Sequence, residues 1–300
     1  MFRILLHLTR MASATSTEGN APPIETVIQP NQKWLRLDFR NLWRARDLIL
    51  LFVQRDFISK YKQTLLGPTW FVIQPLVQTA MFMVLQLIAG IEGQGAPLVL
   101  FNLAGLLAWQ YFANVLNGTG STFAANADLF GKIYFPRLAV PISQMLSHLL
   151  TFAVQATAFA VILLFFNVVL GAEVTPNWIL LPLLIPAILQ AGLLALAVGF
   201  FTSWLTARYR DLVFLLAFVV NLWLYATPVI YPISRVPEAW QWAIWLNPMA
   251  PIVEFFKAVL LGAGTINIPA YAISVCVTVV LFFAGMMIFQ RTERDFVDSV

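Results

Sequence analysis

Long apolar stretches without Asp, Glu, Lys or Arg recur along the chain from residue 67 onwards. A helix of about 20 apolar residues, rising about 1.5 Å per residue, crosses the roughly 30 Å hydrocarbon layer of a membrane. The pattern therefore predicts an all-α integral membrane protein whose six transmembrane helices form a domain over residues 67–290. The charge-free stretches are Gly67–Ile91, Gly93–Ala127, Leu138–Ala172, Val174–Ala207, Leu212–Ser234 and Ala258–Gln290.

A shorter apolar stretch, Ala239–Val253, lies before the last of these spans and is interrupted by Pro248. It is too short to cross a bilayer, and proline breaks a helix because it lacks a backbone N–H. We therefore expect a re-entrant helical hairpin at about residues 236–262. Glu254 and Lys257 lie three positions apart in its second helix, a spacing at which opposite charges pair.

Charged and aromatic residues are interleaved over residues 33–66, the composition of an amphipathic interface helix lying along the membrane surface. Arg55, Lys60 and Lys62 are its basic residues near the first span. The helix either anchors the chain at the membrane surface or also provides a docking site for a cytoplasmic partner. The small and polar residues of 1–32 predict a disordered leader. The apolar face of the helix is expected to comprise Leu50, Val53, Phe57 and Tyr61.

The basic residues are distributed unevenly between the loops. If both termini are cytoplasmic, all but Arg235 and Lys257 of the 18 Lys and Arg fall on the cytoplasmic side. This is the positive-inside pattern, and it predicts cytoplasmic termini, with residues 291–300 as a cytoplasmic tail. Membrane topology thus accounts for the net charge of +4 without a nucleic-acid partner.

The predicted spans contain no acidic or basic side chain except His148. Over the whole chain, 60% of the residues are apolar and only 11% are charged. Carriers coupled to protons or ions normally place ionisable groups near mid-membrane, so an ion-coupled carrier is disfavoured. Asp128, His148 and Asp211 leave open a membrane enzyme of glycan assembly.

Nucleotide and metal sites are also missing from the sequence. Gly131-Lys132 is followed by isoleucine and does not complete a phosphate-binding loop. Two histidines and one cysteine offer no metal-ligand cluster, so no bound metal or cofactor is expected. If ATP drives transport, it must bind a partner subunit.

Aromatic residues are abundant, with 25 Phe, 10 Trp and 7 Tyr. Several lie inside the predicted spans as well as at their ends, where aromatic belts are common. Aromatic faces pack against the C–H faces of sugar rings, so a collection of them is typical of a path for a glycan. The candidates for such a path are Trp70, Phe71, Trp109, Phe218, Trp223 and Tyr225.

Several short motifs, spread over roughly residues 35–291, resemble those of type 2 ABC transporter permeases that export polysaccharides. This group exports O-antigen (lipopolysaccharide), capsule and teichoic acid. The resemblance is most specific where the first span begins. The matching motifs are Arg55-Asp56, the string Lys60–Trp70, Gln74-Pro75, Tyr134–Arg137, Tyr209–Asp211, Thr227–Pro232 and Asn247-Pro248.

The resemblance implies a transporter subunit of the bacterial inner (plasma) membrane that exports a lipid-linked polysaccharide and has no nucleotide site of its own. Two permeases would form a homodimer around a central channel, lined by the first and fifth spans. Two copies of a separate ABC ATPase would bind ATP and Mg. The segment 126–137 would be the coupling helix seated in that ATPase. Its coupling residues would be Asp128, Lys132, Tyr134 and Arg137.

The nearest alternative is a type 2 ABC exporter of a drug or small lipid. The motif around Gly67-Pro68 and the interface helix favour a glycan instead. The identity of the glycan and its lipid, recognition of a terminal cap, and any gating role of the outer hairpin do not follow from the sequence.

Overall fold

The computed structural model describes residues 39–60, 62, 64–126, 130 and 135–299. Every regular element in these ranges is helical, as the sequence predicts. The predicted leader over 1–32 lies outside the described residues. The main helices are α1 (Phe39–Arg44), α2 (Arg46–Ser59), α3 (Trp70–Ala89), α4 (Leu98–Gly120), α5 (Ala139–Val169), α6 (Leu184–Arg208), α7 (Leu212–Tyr225), α8 (Glu238–Leu246), α9 (Met249–Leu261) and α10 (Ile268–Ser299). Short helical turns lie at Gly67–Thr69, Thr122–Ala125, Leu181–Leu183 and Ile233–Arg235.

In the described part of the chain, five helices are long and apolar enough to cross a membrane. The predicted fifth span is helical only over α7, whose 14 residues extend about 21 Å. The chain then turns at Thr227 and Pro228. The number of spans is thus five by this criterion, or six if α8 and α9 count as one broken span. Six spans and the orientation of the termini stay predictions.

Helix α4 forms the centre of the bundle. It packs against α3, α5, α6, α7 and α9, and most of its side chains are buried. Close approach to α6 depends on small residues, including Ala191, Ala195 and Gly199. A Cβ atom added at Gly199 would lie 2.5 Å from Thr119 Cβ, closer than packed carbons come. The repeat of small residues in α6 therefore packs against α4.

The predicted interface helix contains two described helices, α1 and α2, which meet at Ala45. The Ala45 amide bonds to the carbonyl of Leu42, three residues earlier, so the helix tightens and breaks there. Helix α2 packs against the start of α5 through Ile49 and Val53. Leu50 of the predicted apolar face is 61% exposed, whereas Val53 of the same face is buried. Helix α5 therefore covers the side of α2 that carries Ile49 and Val53, and contact of the predicted apolar face with the membrane stays a prediction.

The predicted hairpin region contains two helices, α8 and α9, bent by 102° relative to each other. Helix α9 ends at Gly262, which adopts the left-handed conformation that favours glycine. The predicted pair is confirmed: Lys257 Nζ lies 3.3 Å from Glu254 Oε1, and both side chains are completely buried. Lys257 also donates to the Pro228 carbonyl and lies 3.8 Å from the centre of the Phe101 ring. These contacts tie α9 to α4 and to the turn after α7.

Candidate functional site

A cleft of about 380 Å³ lies between α3, α4, α5 and α7 and is lined mainly by uncharged polar and aromatic side chains. We call it the amide cleft, because carboxamide groups provide much of its polar surface. Lys60, just after α2, and His148 are its basic residues. The carboxamide residues are Gln74, Gln78, Gln110, Asn114, Asn117, Gln155 and Asn221.

Helical spacing brings these amides to one place. Gln74 and Gln78 are four residues apart on α3, and Gln110 and Asn114 are four apart on α4. Residues at this spacing lie on the same face of a helix, one above the other. Each helix thus presents a polar strip, and the strips face one another across the cleft.

A chain of hydrogen bonds joins three spans at the wall of the cleft. Pro75 has no N–H, so the Phe71 carbonyl four residues earlier has no intrahelical donor. The Gln155 side chain supplies the missing donor at 3.1 Å from Phe71 O. The same Nε2 lies 2.8 Å from Gln110 Oε1, and Gln110 donates to Gln78 at 3.1 Å. The proline of the first span is therefore compensated by an amide from the third.

Lys60 and His148 lie together at the end of the cleft where the interface helix meets the spans. Lys60 Nζ is 3.3 Å from His148 Nδ1. The ammonium group has only protons to offer, so Nδ1 must accept and the imidazole proton resides on Nε2. Burial lowers the pKa of Lys60 to about 8, with the charge of Asp56 acting in the opposite direction.

The three predicted basic residues of the interface helix occupy different environments. Arg55 pairs with Asp56 at 2.8 Å, and its guanidinium lies 4.8 Å from the centre of the Phe52 ring. Lys60 lines the amide cleft, whereas Lys62 is exposed. A direct contact of these residues with a cytoplasmic partner stays a prediction.

The structure brings three of the six predicted path aromatics together. Trp70, Phe71 and Trp109 line the amide cleft. Trp223 is not in the lining but packs edge-on against Trp109, with ring centres 6.2 Å apart. Its indole N–H donates to Asn247 at 3.1 Å, which fixes the ring.

Phe218 and Tyr225 lie outside the cleft. Phe218 is 60% exposed and Tyr225 is 52% exposed on α7. Tyr225 makes an edge contact with Phe82, with ring centres 6.3 Å apart. A role for either residue along a channel between two permeases therefore stays a prediction.

Of the predicted coupling residues, Asp128, Lys132 and Tyr134 lie outside the described residues. Arg137 is described and is mostly buried at the start of the third span. Its Nη1 donates to the backbone carbonyl of Glu293 near the end of α10, at 2.7 Å. Arg137 therefore links the end of the predicted coupling segment to the last span.

A series of aromatic contacts runs through the same region. The Phe52 ring of α2 lies 5.7 Å from Phe135, which lies 5.7 Å from Phe130. Phe130 lies 5.8 Å from Phe123, and Phe123 lies 4.9 Å from Phe289 of α10. Packed rings thus connect the interface helix with the last span.

Sequence reasoning did not single out most of the amides in the cleft. The available signal was the spacing of polar residues within otherwise apolar spans, such as His148, Thr151 and Gln155 along one face of α5. Each such residue by itself is compatible with ordinary packing between membrane helices. Only their convergence from several helices distinguishes a site.

Comparison with known proteins identifies the family. The profile of the family described as ABC-2 type transporter matches residues 47–261. An O-antigen export system permease protein RfbA of Myxococcus xanthus is 25% identical over 264 residues, 87% of this chain and 98% of that protein. One from Klebsiella pneumoniae is 27% identical over 260 residues, 86% of this chain and 96% of that protein.

A partial match extends the comparison to other relatives. Nodulation protein J of Bradyrhizobium diazoefficiens is 28% identical over 116 residues, 38% of this chain and 44% of that protein. The family match begins within the predicted interface helix and covers the first five predicted spans and nearly all of the predicted hairpin. With its apolar helices, this chain therefore belongs to the ABC-2 type transporter family, as a multi-pass membrane subunit of an ABC transporter.

Proposed function

We propose that this chain is the permease of an ATP-driven exporter that moves a lipid-linked, O-antigen-like polysaccharide across a bacterial inner membrane. The observation that carries the proposal is the amide cleft, which combines carboxamides with Trp70, Phe71 and Trp109. Carboxamides donate and accept hydrogen bonds, as sugar hydroxyls do, and aromatic faces suit the C–H faces of sugars. A mainly uncharged lining binds such a chain loosely enough to let it move.

The names of the relatives favour a glycan over a drug or small lipid. Proteins described as O-antigen export permeases match 86–87% of this chain at 25–27% identity. Their similarity extends through the first, second and third spans, which supply most of the cleft. A cargo of related chemistry is the simplest explanation for both observations.

We propose that the working assembly contains two copies of this chain and two copies of an ABC ATPase. The ATPase binds ATP and Mg and hydrolyses the nucleotide, while this chain supplies the membrane path. Asp128, Lys132, Tyr134 and Arg137 would seat the coupling segment in the ATPase. Arg55 and Lys62 of the interface helix would lie along the same cytoplasmic surface.

Movement of the coupling segment would reach the spans through rigid contacts. The Arg137 bond to the Glu293 carbonyl and the ring contact of Phe123 with Phe289 both lead from that region to α10. Closure of the ATPase dimer on ATP would displace the segment and rotate these spans as a body. Such rotation would open and close a path between the two permeases.

The assembly is tested by purifying the tagged chain from its native membrane and identifying the proteins that accompany it. We expect a stoichiometric ABC ATPase, which the charge exchange Asp128→Lys with Lys132→Glu should release. Glu238→Lys, on the predicted outer side, is the matched control and should retain the ATPase. Failure to recover any ATPase from the wild-type chain would refute the exporter.

The cargo is tested in inside-out vesicles that contain the complete transporter. We expect ATP-dependent uptake of a lipid-linked oligosaccharide, lost when the ATPase site is mutated and insensitive to a protonophore. Loss with the protonophore alone would indicate an ion-coupled carrier. Uptake of only drugs or small lipids would place the chain in a different branch of exporters. Chemical turnover of the glycan without ATPase would identify an enzyme.

A further inference from the structure

Lys60 brings a positive charge to one end of a cleft whose other lining residues, apart from His148, are uncharged. Among the described residues, no carboxylate lies within ion-pair distance of Lys60 Nζ. Asp56, one turn earlier, is held by Arg55 and by Gln144, each at 2.8 Å. Lys60 therefore has no ion-pair partner among the described residues, and Asp56 acts on its charge only from beyond ion-pair distance.

The location of Lys60 makes this arrangement costly. Burial lowers its pKa to about 8, which means that the surroundings disfavour the ammonium form. A bound anion would offset the lost hydration. His148 accepts from Lys60 through Nδ1, so its Nε2–H remains as a second donor. Two adjacent N–H donors, one of them charged, are well suited to phosphoryl oxygens.

The exposed amides of the lining are a second indication of what the cleft takes. Gln74, Asn114 and Asn221 line the same cleft as Lys60 and His148, and all three are exposed. None of the three makes a side-chain hydrogen bond to another described residue. Their donors and acceptors are therefore available to the hydroxyl groups of a sugar.

We propose that Lys60 and His148 bind the phosphoryl group that joins the exported glycan to its lipid, while the amide cleft holds the adjoining sugar. The inference rests on the proposed function and makes it more specific. The cation lies where the interface helix meets the spans, and the amides and aromatic rings extend from it into the bundle. That order matches a ligand with one anionic group followed by neutral sugars.

The arrangement of one cation followed by amides also distinguishes this ligand from an ordinary membrane phospholipid. A phospholipid head group would satisfy Lys60 but would leave the exposed amides of Gln74, Asn114 and Asn221 without sugar hydroxyls. A glycan without phosphate would satisfy the amides but not the lysine. We therefore expect both parts of the ligand to contribute to binding.

The chain contains two histidines, His7 and His148. The test uses the variant His7→Gln, in which every histidine signal comes from His148. The full chain, labelled with ¹⁵N-histidine, is placed in nanodiscs of uncharged lipid, and the imidazole nitrogen shifts are followed by NMR. The probe is glucose joined to farnesol through a diphosphate. Farnesyl glucoside lacks only the diphosphate, and short-chain phosphatidylglycerol provides a phosphate without the sugar.

We expect the sugar diphosphate to move the His148 resonances in a saturable manner and to bind at least about tenfold more tightly than either partial probe. Equal binding of phosphatidylglycerol would reduce the site to a general head-group contact and overturn the proposal. If farnesyl glucoside bound as tightly as the sugar diphosphate, the phosphoryl group would contribute nothing, and its proposed binding by Lys60 would be excluded. An unchanged His148 spectrum with all three probes would also overturn it.

Substitutions of Lys60 and Lys62 test whether the positive charge that binds the ligand belongs to Lys60. Lys60→Gln should weaken binding of the sugar diphosphate at least about tenfold, because a charge-assisted hydrogen bond is lost. Lys60→Arg keeps the charge and should retain most of the affinity, which separates a binding role from a folding role. Lys62→Gln is the matched control, since Lys62 is exposed nearby and does not line the cleft. Equal losses in Lys60→Gln and Lys62→Gln would contradict the proposal.

Failure of this inference is distinguishable from failure of the proposed function. ATPase recovery and ATP-dependent export with an unresponsive His148 would reject the phosphoryl site and leave the exporter intact. A responsive His148 in a chain that recovers no ATPase would support the site and reject the exporter.

Discussion

The side-chain amide of Gln155 lies 3.1 Å from the carbonyl oxygen of Phe71 and replaces the backbone donor that Pro75 cannot provide. A backbone carbonyl left without a donor between packed helices is costly, because a hydrogen bond is lost. One glutamine of the third span therefore makes it possible for the first span to contain a proline. The same glutamine also fixes the wall of the amide cleft.

Gln155→Leu should destabilise the protein by about 1–3 kcal/mol, since it removes the donor for the Phe71 carbonyl and leaves Gln110 with one partner fewer. Pro75→Ala restores an N–H at the position that bonds to Phe71, so it should reduce the cost of Gln155→Leu. Thermal unfolding of the single and double variants in detergent measures this coupling. Thr157→Ala, exposed on the same helix, is the control. Strictly additive effects of the two changes would contradict the link.

Lys257→Met should destabilise the protein by about 3–5 kcal/mol, because it leaves the Glu254 carboxylate buried without its cation. The double change Glu254→Gln with Lys257→Met should recover much of that loss, since no unpaired charge remains. The exposed pair of Arg46 and Asp47, 3.6 Å apart, is the matched control. Breaking that pair should cost at most about 1 kcal/mol. The measurement is the unfolding midpoint of each variant in detergent. An unchanged midpoint for Lys257→Met alone would contradict the prediction.

Trp70→Leu should weaken binding of a glycan-bearing probe about two- to tenfold, the effect of losing an aromatic contact of roughly 0.5–1.5 kcal/mol. Trp178→Leu removes an exposed tryptophan that lies outside the cleft, so affinity should not change. Titration of the purified chain with the glucosyl diphosphate probe compares the two. The amide cleft would lose its assigned role if Trp178→Leu were the more damaging change.

Binding of the same probe should weaken nearly tenfold between pH 7 and pH 9. The pKa of Lys60 is lowered to about 8 by burial, so the ammonium form dominates at pH 7 and is largely lost at pH 9. Asp56 on the preceding turn and His148 from α5 are the other titratable groups beside it. Lys60→Arg stays charged throughout this range and should abolish the pH dependence. Wild-type affinity that is constant over this range would exclude Lys60 as the source of the charge.

The sequence by itself determined that this chain is an all-helical membrane protein, because charge-free stretches of this length have few stable solutions outside a bilayer. Local signals also located the two helices of the predicted hairpin and the pairing of Glu254 with Lys257, since both follow from spacing along a single helix. The motifs at the start of the first span indicated the family. These features depend on neighbouring residues in the chain, which a sequence displays directly.

The tertiary structure decided which side chains meet. Helical periodicity shows that Gln78, Gln110 and Gln155 each occupy a polar strip, but it does not show that the three strips converge on one cleft. It likewise does not separate Trp70, which lines the cleft, from Phe218, which does not. Which side chains touch depends on the packing angles between neighbouring helices and on the small residues where the helices meet. The amide cleft therefore forms only when α3, α4, α5 and α7 are assembled.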